Sequence, residues 1–139
     1  MKTLSALLLA AAPALALAQP QFTNVPEGLH KPLQGNGLKS AQMHQGVLRL
    51  QVDKPQLSEL VYSSFIFHSI CAGQWRNPQQ FASYGLARVE MLNASGAEGY
   101  AFDARGEVCA QMGRMGQNYR QLIAQHTTTC QAGTCAAAK

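Results

Sequence analysis

Four cysteines, Cys71, Cys109, Cys130 and Cys135, constrain this chain more than any other feature. Whether they pair is set by the compartment in which the chain folds, and the N-terminus points to one. Lys2 precedes an almost unbroken apolar run from Leu4 to Leu17, and Ala16-Leu17-Ala18 has the small-residue form that a signal peptidase cuts before Gln19. The run is too short to span a bilayer, and no stop-transfer pattern follows it. Residues 1–18 are therefore expected to be a cleaved signal peptide that delivers the chain to a bacterial periplasm, where thiols oxidise. No cysteine stands near Gln19, which argues against a lipid-anchored start.

Residues 19–52 read as an extended Pro/Gly-rich arm, punctuated by Pro20, Pro26, Gly28, Pro32, Gly35 and Gly37. Within it, residues 46–52 carry a strand pattern: Leu48, Leu50 and Val52 alternate with Arg49 and Gln51. The nearby Leu38–Met43 segment, turning back through His44 to Gly46, is a poor match as a partner. The strand is thus expected to lie on helices or to pair with another chain. Leu48, Leu50 and Val52 become candidate partner-binding residues.

Residues 53–127 read as helical. Asp53, Pro55 and Gln56 fit a capped start, after which Leu57, Leu60, Val61, Phe65, Ile66, Phe67, Ile70 and Cys71 cover most of a helix ending near Trp75. Asn77-Pro78 opens a second helix with Phe81, Ala82, Leu86, Val89 and Leu92 on one face. Ser95 and Glu98 stand in capping-box register for a third, striped by Ala101, Ala104, Val108, Met112, Met115, Tyr119 and Leu122. Gly113 and Gly116 predict a break, with residues 117–126 folding back as a short fourth helix; a straight, overhanging helix is the rival. The fold class expected is all-α, a small disulfide-stabilised bundle of three to four helices with an N-terminal arm. Residues 128–139 would form a disulfide-looped tail.

Four cysteines allow three pairings. Counting helical rise from Pro55 and Gly96 puts Cys71 roughly 24 Å and Cys109 roughly 20 Å up neighbouring helices, which favours Cys71–Cys109. Cys130 and Cys135 then pair by proximity. The rival is Cys71–Cys130 with Cys109–Cys135, which would pin the tail onto the bundle.

The chemistry-bearing residues form no recognisable constellation. Basic residues are scattered and not interleaved with aromatics, so nucleic acid is not an expected partner. No apolar stretch of the mature chain has membrane length. There is no Gly-x-Ser-x-Gly elbow, His-Glu-x-x-His helix or phosphate-binding loop. His68 and Cys71 share a helix face, but oxidation of Cys71 removes a thiolate ligand. Met112 and Met115 are soft donors that a copper protein could use, or simply core filling. No metal, cofactor or catalytic residue is expected.

In size, compartment and expected architecture the chain resembles small exported, disulfide-clamped helical proteins of bacterial envelopes, among them acid-stress chaperones and immunity proteins. The missing catalytic constellation, the disulfide-rigidified bundle and the unpaired alternating strand after an extended arm lead to the expectation of a periplasmic protein-binding module, an inhibitor, immunity protein or adaptor without catalytic activity, whose partner is another periplasmic or envelope protein. A structural or assembly component of an envelope machine is the first alternative, and a periplasmic copper-binding protein the second.

Overall fold

The computed structural model describes residues 19–138, so the expected leader lies outside the described residues. Alternation, more than helical periodicity, governs the architecture. In β3 (Val47–Val52), Leu48, Leu50 and Val52 are buried while Arg49 and Gln51 lie on the opposite face. β2 (Leu38–His44) pairs with it antiparallel across the two-residue turn Gln45-Gly46, whose φ values of 48° and 80° match the twist of a tight hairpin. On its other side β3 runs parallel to β4 (Arg88–Leu92), where buried Val89 and Met91 alternate with Arg88 and Glu90.

β5 (Gly99–Asp103), β6 (Thr127–Gln131) and β7 (Thr134–Cys135) extend the sheet antiparallel. β1 (Gln21–Thr23) lies parallel to β2 at the far edge. The product is one mixed sheet of seven strands in the sequential order β1 to β7.

The connections supply the helices. α1 (Glu27–Leu33) joins β1 to β2. The β3–β4 crossover carries α2 (Glu59–Phe65), a π-helical turn (Ile66–Cys71), α3 (Ala72–Arg76) and α4 (Pro78–Ser83). α5 (Val108–Met112) and α6 (Tyr119–Gln125) lie between β5 and β6. Leu29 and Leu33, Tyr62, Phe65, Ile66 and Ile70, and Met112 and Ile123 pack with Leu48, Leu50 and Val52 into one core. All of the helices therefore cover the same face of the sheet.

Tyr62 shows how tightly that core is ordered. Its side chain is fully buried and stacks on Tyr100 at 4.9 Å. Thr127 donates its hydroxyl proton to the Ile123 carbonyl (2.6 Å), so the Tyr62 hydroxyl must donate to Thr127 Oγ1 (2.8 Å). Burial pushes ionisation of Tyr62 well above the usual tyrosine range. Tyr62→Phe is expected to cost about 1 kcal/mol in urea unfolding at an unchanged m-value. A loss of a few tenths or less would show that this hydrogen bond is not contributing.

The all-α bundle is therefore overturned by a mixed α/β fold. Residues 19–52 are not an arm; they build β1, α1, β2 and β3, and the poorly patterned Leu38–Met43 segment is the partner that β3 uses. The first long helix starts at Glu59, capped by Ser58 Oγ accepting from the Val61 amide, not at Asp53. Asn77 does cap α4, its side chain accepting from the Gln80 amide. That helix stops at Ser83 and the chain reverses through Gly85 (φ 60°). Val89 and Leu92, spaced as one helical face, lie on opposite faces of β4.

The stretch read as the start of a third helix is β5, and Ser95 and Glu98 belong to the β4–β5 turn. There the Asn93 side chain accepts from the amides of Ala97 and Glu98. The break at Gly113–Gly116 is present, with α5 ending at Met112 and α6 burying Leu122 and Ile123. In the expected tail, residues 127–131 form β6 and Thr134–Cys135 form β7.

Both disulfides have the favoured pairing: Cys71–Cys109, with Cα atoms 4.9 Å apart, and Cys130–Cys135 across the β6–β7 hairpin. The route to the first differs from a count of helical levels. The end of the π-turn and the start of α5 pack side by side on the sheet, where Trp75 Nε1 also donates to the Cys109 carbonyl at 2.6 Å.

Candidate functional site

The helical layer leaves two large apolar side chains in solvent, Leu60 at 57 % and Val61 at 39 % exposure, on the first turn of α2. They line a groove of about 620 Å³, bounded by the Gly35–Gly37 turn, Lys54, His68 and Tyr119. A second depression of about 550 Å³ runs between α1 and the α3–α4 corner, lined by Gly28, Lys31, Arg76 and Tyr84. His68 and Ser69 line both, so the two meet at the π-turn.

The local chemistry explains that shape. A π-turn holds one residue more than an α-turn, and such insertions concentrate at functional positions. Here Ile66, Ile70 and Cys71 stay buried while His68 stands in solvent. Phe67 supports it from below, its ring 4.9 Å from His68, 4.8 Å from Trp75 and 3.9 Å from Tyr119. The Cys71–Cys109 bond anchors the end of the turn to α5. Along the second depression α1 approaches α4 closely: a Cβ at Gly28 would overlap the Tyr84 hydroxyl and come within 2.9 Å of Gln80 Nε2. A side chain there would have to displace the ends of Tyr84 and Gln80.

The groove has one electrostatic sign. Lys31, Lys54 and Arg76 line it, and neither half is lined by an aspartate or glutamate. Among the described residues none of these three cations has a carboxylate within 4.0 Å.

The opposite face of the sheet is arranged differently. Glu90 lies between two arginines: Arg49 Nη1 donates to Oε1 at 2.9 Å, and Arg88 Nε sits 3.2 Å from Oε2, at ion-pair distance but not aligned for a hydrogen bond. The same arginines hold the C-terminal segment, Arg49 donating to the Gly133 carbonyl (2.7 Å) and Arg88 to that of Ala136 (2.6 Å). Leu92, Ala101 and Cys130 form a small second core beneath, with Cys135 packed on it. Beside it lies a cavity of about 240 Å³ lined by Asp103, Arg105 and His126. Arg105 grips Asp103 with two 2.9 Å contacts, and that hydrogen bonding holds the Asp103 carboxyl below its usual range. The carboxylates of this face are already engaged.

The structure places the sequence-derived candidates elsewhere. Leu48, Leu50 and Val52 are buried under the helices, and both edges of β3 are paired, so this strand offers no edge to another protein. Cys71, Cys109, Cys130 and Cys135 are all oxidised, which removes Cys71 as a ligand beside His68. Met112 is fully buried and Met115 packs against the core. Among the described residues no group of three or more His, Cys, Asp or Glu is assembled for a metal ion. No helix among them is long and apolar enough to cross a membrane.

The groove residues escaped the sequence reading because Lys31, Lys54, His68 and Arg76 come from α1, the β3–α2 loop, the π-turn and α3, segments joined only by the fold. Leu60 and Val61 carried the one available signal, two apolar residues beyond what the core-facing stripe of α2 needs. Comparison with protein-family models, with curated proteins and with solved structures finds no match.

Proposed function

We propose that this chain is an exported, disulfide-stapled protein-binding module of the bacterial envelope, an inhibitor, immunity protein or adaptor, without catalytic activity of its own. The observation that carries the reading is the groove: exposed Leu60 and Val61 share one depression with Lys54, and Lys31 and Arg76 line the adjoining one, all three cations without carboxylate partners among the described residues. An apolar patch rimmed by polar groups is characteristic of an interaction surface. Two disulfides and the apolar leader sequence support an oxidising, extracytoplasmic setting for it. Glu90 and Asp103 are both paired with arginines, which supports a structural role for those two side chains.

Affinity capture from periplasm and culture supernatant tests this, with the oxidised protein as bait beside Leu60→Asp/Val61→Asp. One stoichiometric partner is expected on the wild-type bait and none on the variant. A well-folded, monomeric wild-type bait that captures nothing would overturn the reading. An envelope assembly component is the alternative, and β1 favours it, because among the described residues nothing pairs with the outer edge of this strand. Concentration-dependent self-association in light scattering, lost when Phe22 is replaced by proline, would select that alternative.

A further inference from the structure

We propose that the groove takes an acidic, partly apolar stretch of a partner polypeptide, its carboxylates meeting Lys31, Lys54 and Arg76 and an apolar side chain covering Leu60 and Val61. This rests on the protein-binding reading above and specifies the chemistry of the partner.

Charge complementarity is the first argument. Three cations, from α1, the β3–α2 loop and α3, line two adjoining depressions, no acid lines either, and the acids nearest them in sequence, Glu27, Asp53 and Glu59, are outside their walls. Such clefts focus their field on an anionic occupant and raise the rate of encounter. Shape is the second. Two concave depressions that adjoin at His68 and Ser69 suit a chain laid across both, whereas a bilayer meets flat or convex surfaces. The third is the apolar end. Leu60 and Val61 are aliphatic, and sequence-tolerant binding of single-stranded nucleic acid uses exposed aromatic platforms. A polypeptide supplies carboxylates and aliphatic side chains together.

Unlike the arginines of the other face, these cations are not committed to folding. Their side chains are exposed, so they can be changed without touching the core. Each rim charge contributes modestly, so the effect becomes clear when three change together.

Fluorescence anisotropy with three probes tests the proposal: a labelled peptide of alternating Glu and Leu, the same peptide with Gln for Glu, and a thymidine oligonucleotide. Sedimentation with phosphatidylglycerol vesicles is run in parallel. The Glu/Leu peptide is expected to bind best, to weaken about tenfold or more in Lys31→Ala/Lys54→Ala/Arg76→Ala, and to lose affinity as salt rises. Leu60→Ser should weaken both peptides, with circular dichroism unchanged in every variant. Equal binding of the two peptides, both sensitive to Leu60→Ser, would overturn the acidic partner while sparing the protein-binding reading. Preference for vesicles or the oligonucleotide would overturn both. Binding of the Glu/Leu peptide undiminished in the triple variant would place it outside the groove and overturn the proposal.

Discussion

Removing the Cys71–Cys109 bond, as Cys71→Ala/Cys109→Ala, is expected to cost about 4 kcal/mol of folding stability, the chain entropy returned by opening a long loop. The two positions are 38 residues apart in sequence. Both are also buried in the main core, so the truncated side chains leave space that adds to the loss. Small domains have only about 5–15 kcal/mol in total, which brings this variant near the limit of folding. Cys130→Ala/Cys135→Ala is the natural comparison. Its loop is short, sequence separation 5, and the same relation gives about 2 kcal/mol. Urea unfolding of the three oxidised proteins should rank them in that order. Equal losses would mean that the first bond does not act by constraining the unfolded chain. The groove should suffer with it, because the π-turn bearing His68 is anchored at Cys71.

Gly99→Ala is expected to be nearly as severe, about 3 kcal/mol or more and a fall in Tm of about 10 °C or more. Gly99 pairs with Leu92 across β4 and β5, and a Cβ there would overlap the Met91 carbonyl oxygen and come within 2.9 Å of the Leu92 Cα. Both obstacles are backbone atoms inside a hydrogen-bonded ladder, so neither can rotate away. Gly106→Ala separates this crowding from simple loss of glycine. A Cβ at Gly106 meets nothing within 4 Å, and only its φ of 70° is unfavourable for alanine, a cost of about 1–2 kcal/mol. Calorimetry should find Gly99→Ala clearly below Gly106→Ala; the reverse order would contradict the close β4–β5 approach.

Gly99 also marks what the sequence could and could not disclose. The β3 pattern was legible because Leu48, Leu50 and Val52 face a deep core while Arg49 and Gln51 do not. The Asn77 cap, the glycine break after Met112 and the Cys130–Cys135 pair were legible for similarly local reasons, whereas the expectation of Cys71–Cys109 rests on helical levels in a bundle that does not form. β4 and β5 were not. Short strands whose apolar residues also fall three or four apart fit a helix as well as a strand, as Val89 with Leu92 and Ala101 with Ala104 do. The β-branched run Thr127–Thr129 suits a strand, but its half-buried to exposed threonines give no apolar alternation, so the segment reads as a tail. Parallel pairing of β3 with β4 joins strands separated by an entire helical crossover, so no local pattern announces it. The groove inherits that difficulty, since its cations meet only once the crossover has folded onto the sheet.

The sequential strand order has a kinetic consequence. Chains emerge N-terminus first, and here each strand finds its neighbour already delivered, β2 against β1, β3 against β2, and so on to β7. The sheet can therefore grow by addition at one edge, with no strand held open for a partner still to come. Oxidation is ordered in the same way, because Cys71 waits for Cys109 but for nothing beyond it, and Cys130–Cys135 closes last at the growing edge. A chain built in this order exposes, besides the outer edge of β1, only one growing edge at a time during its assembly.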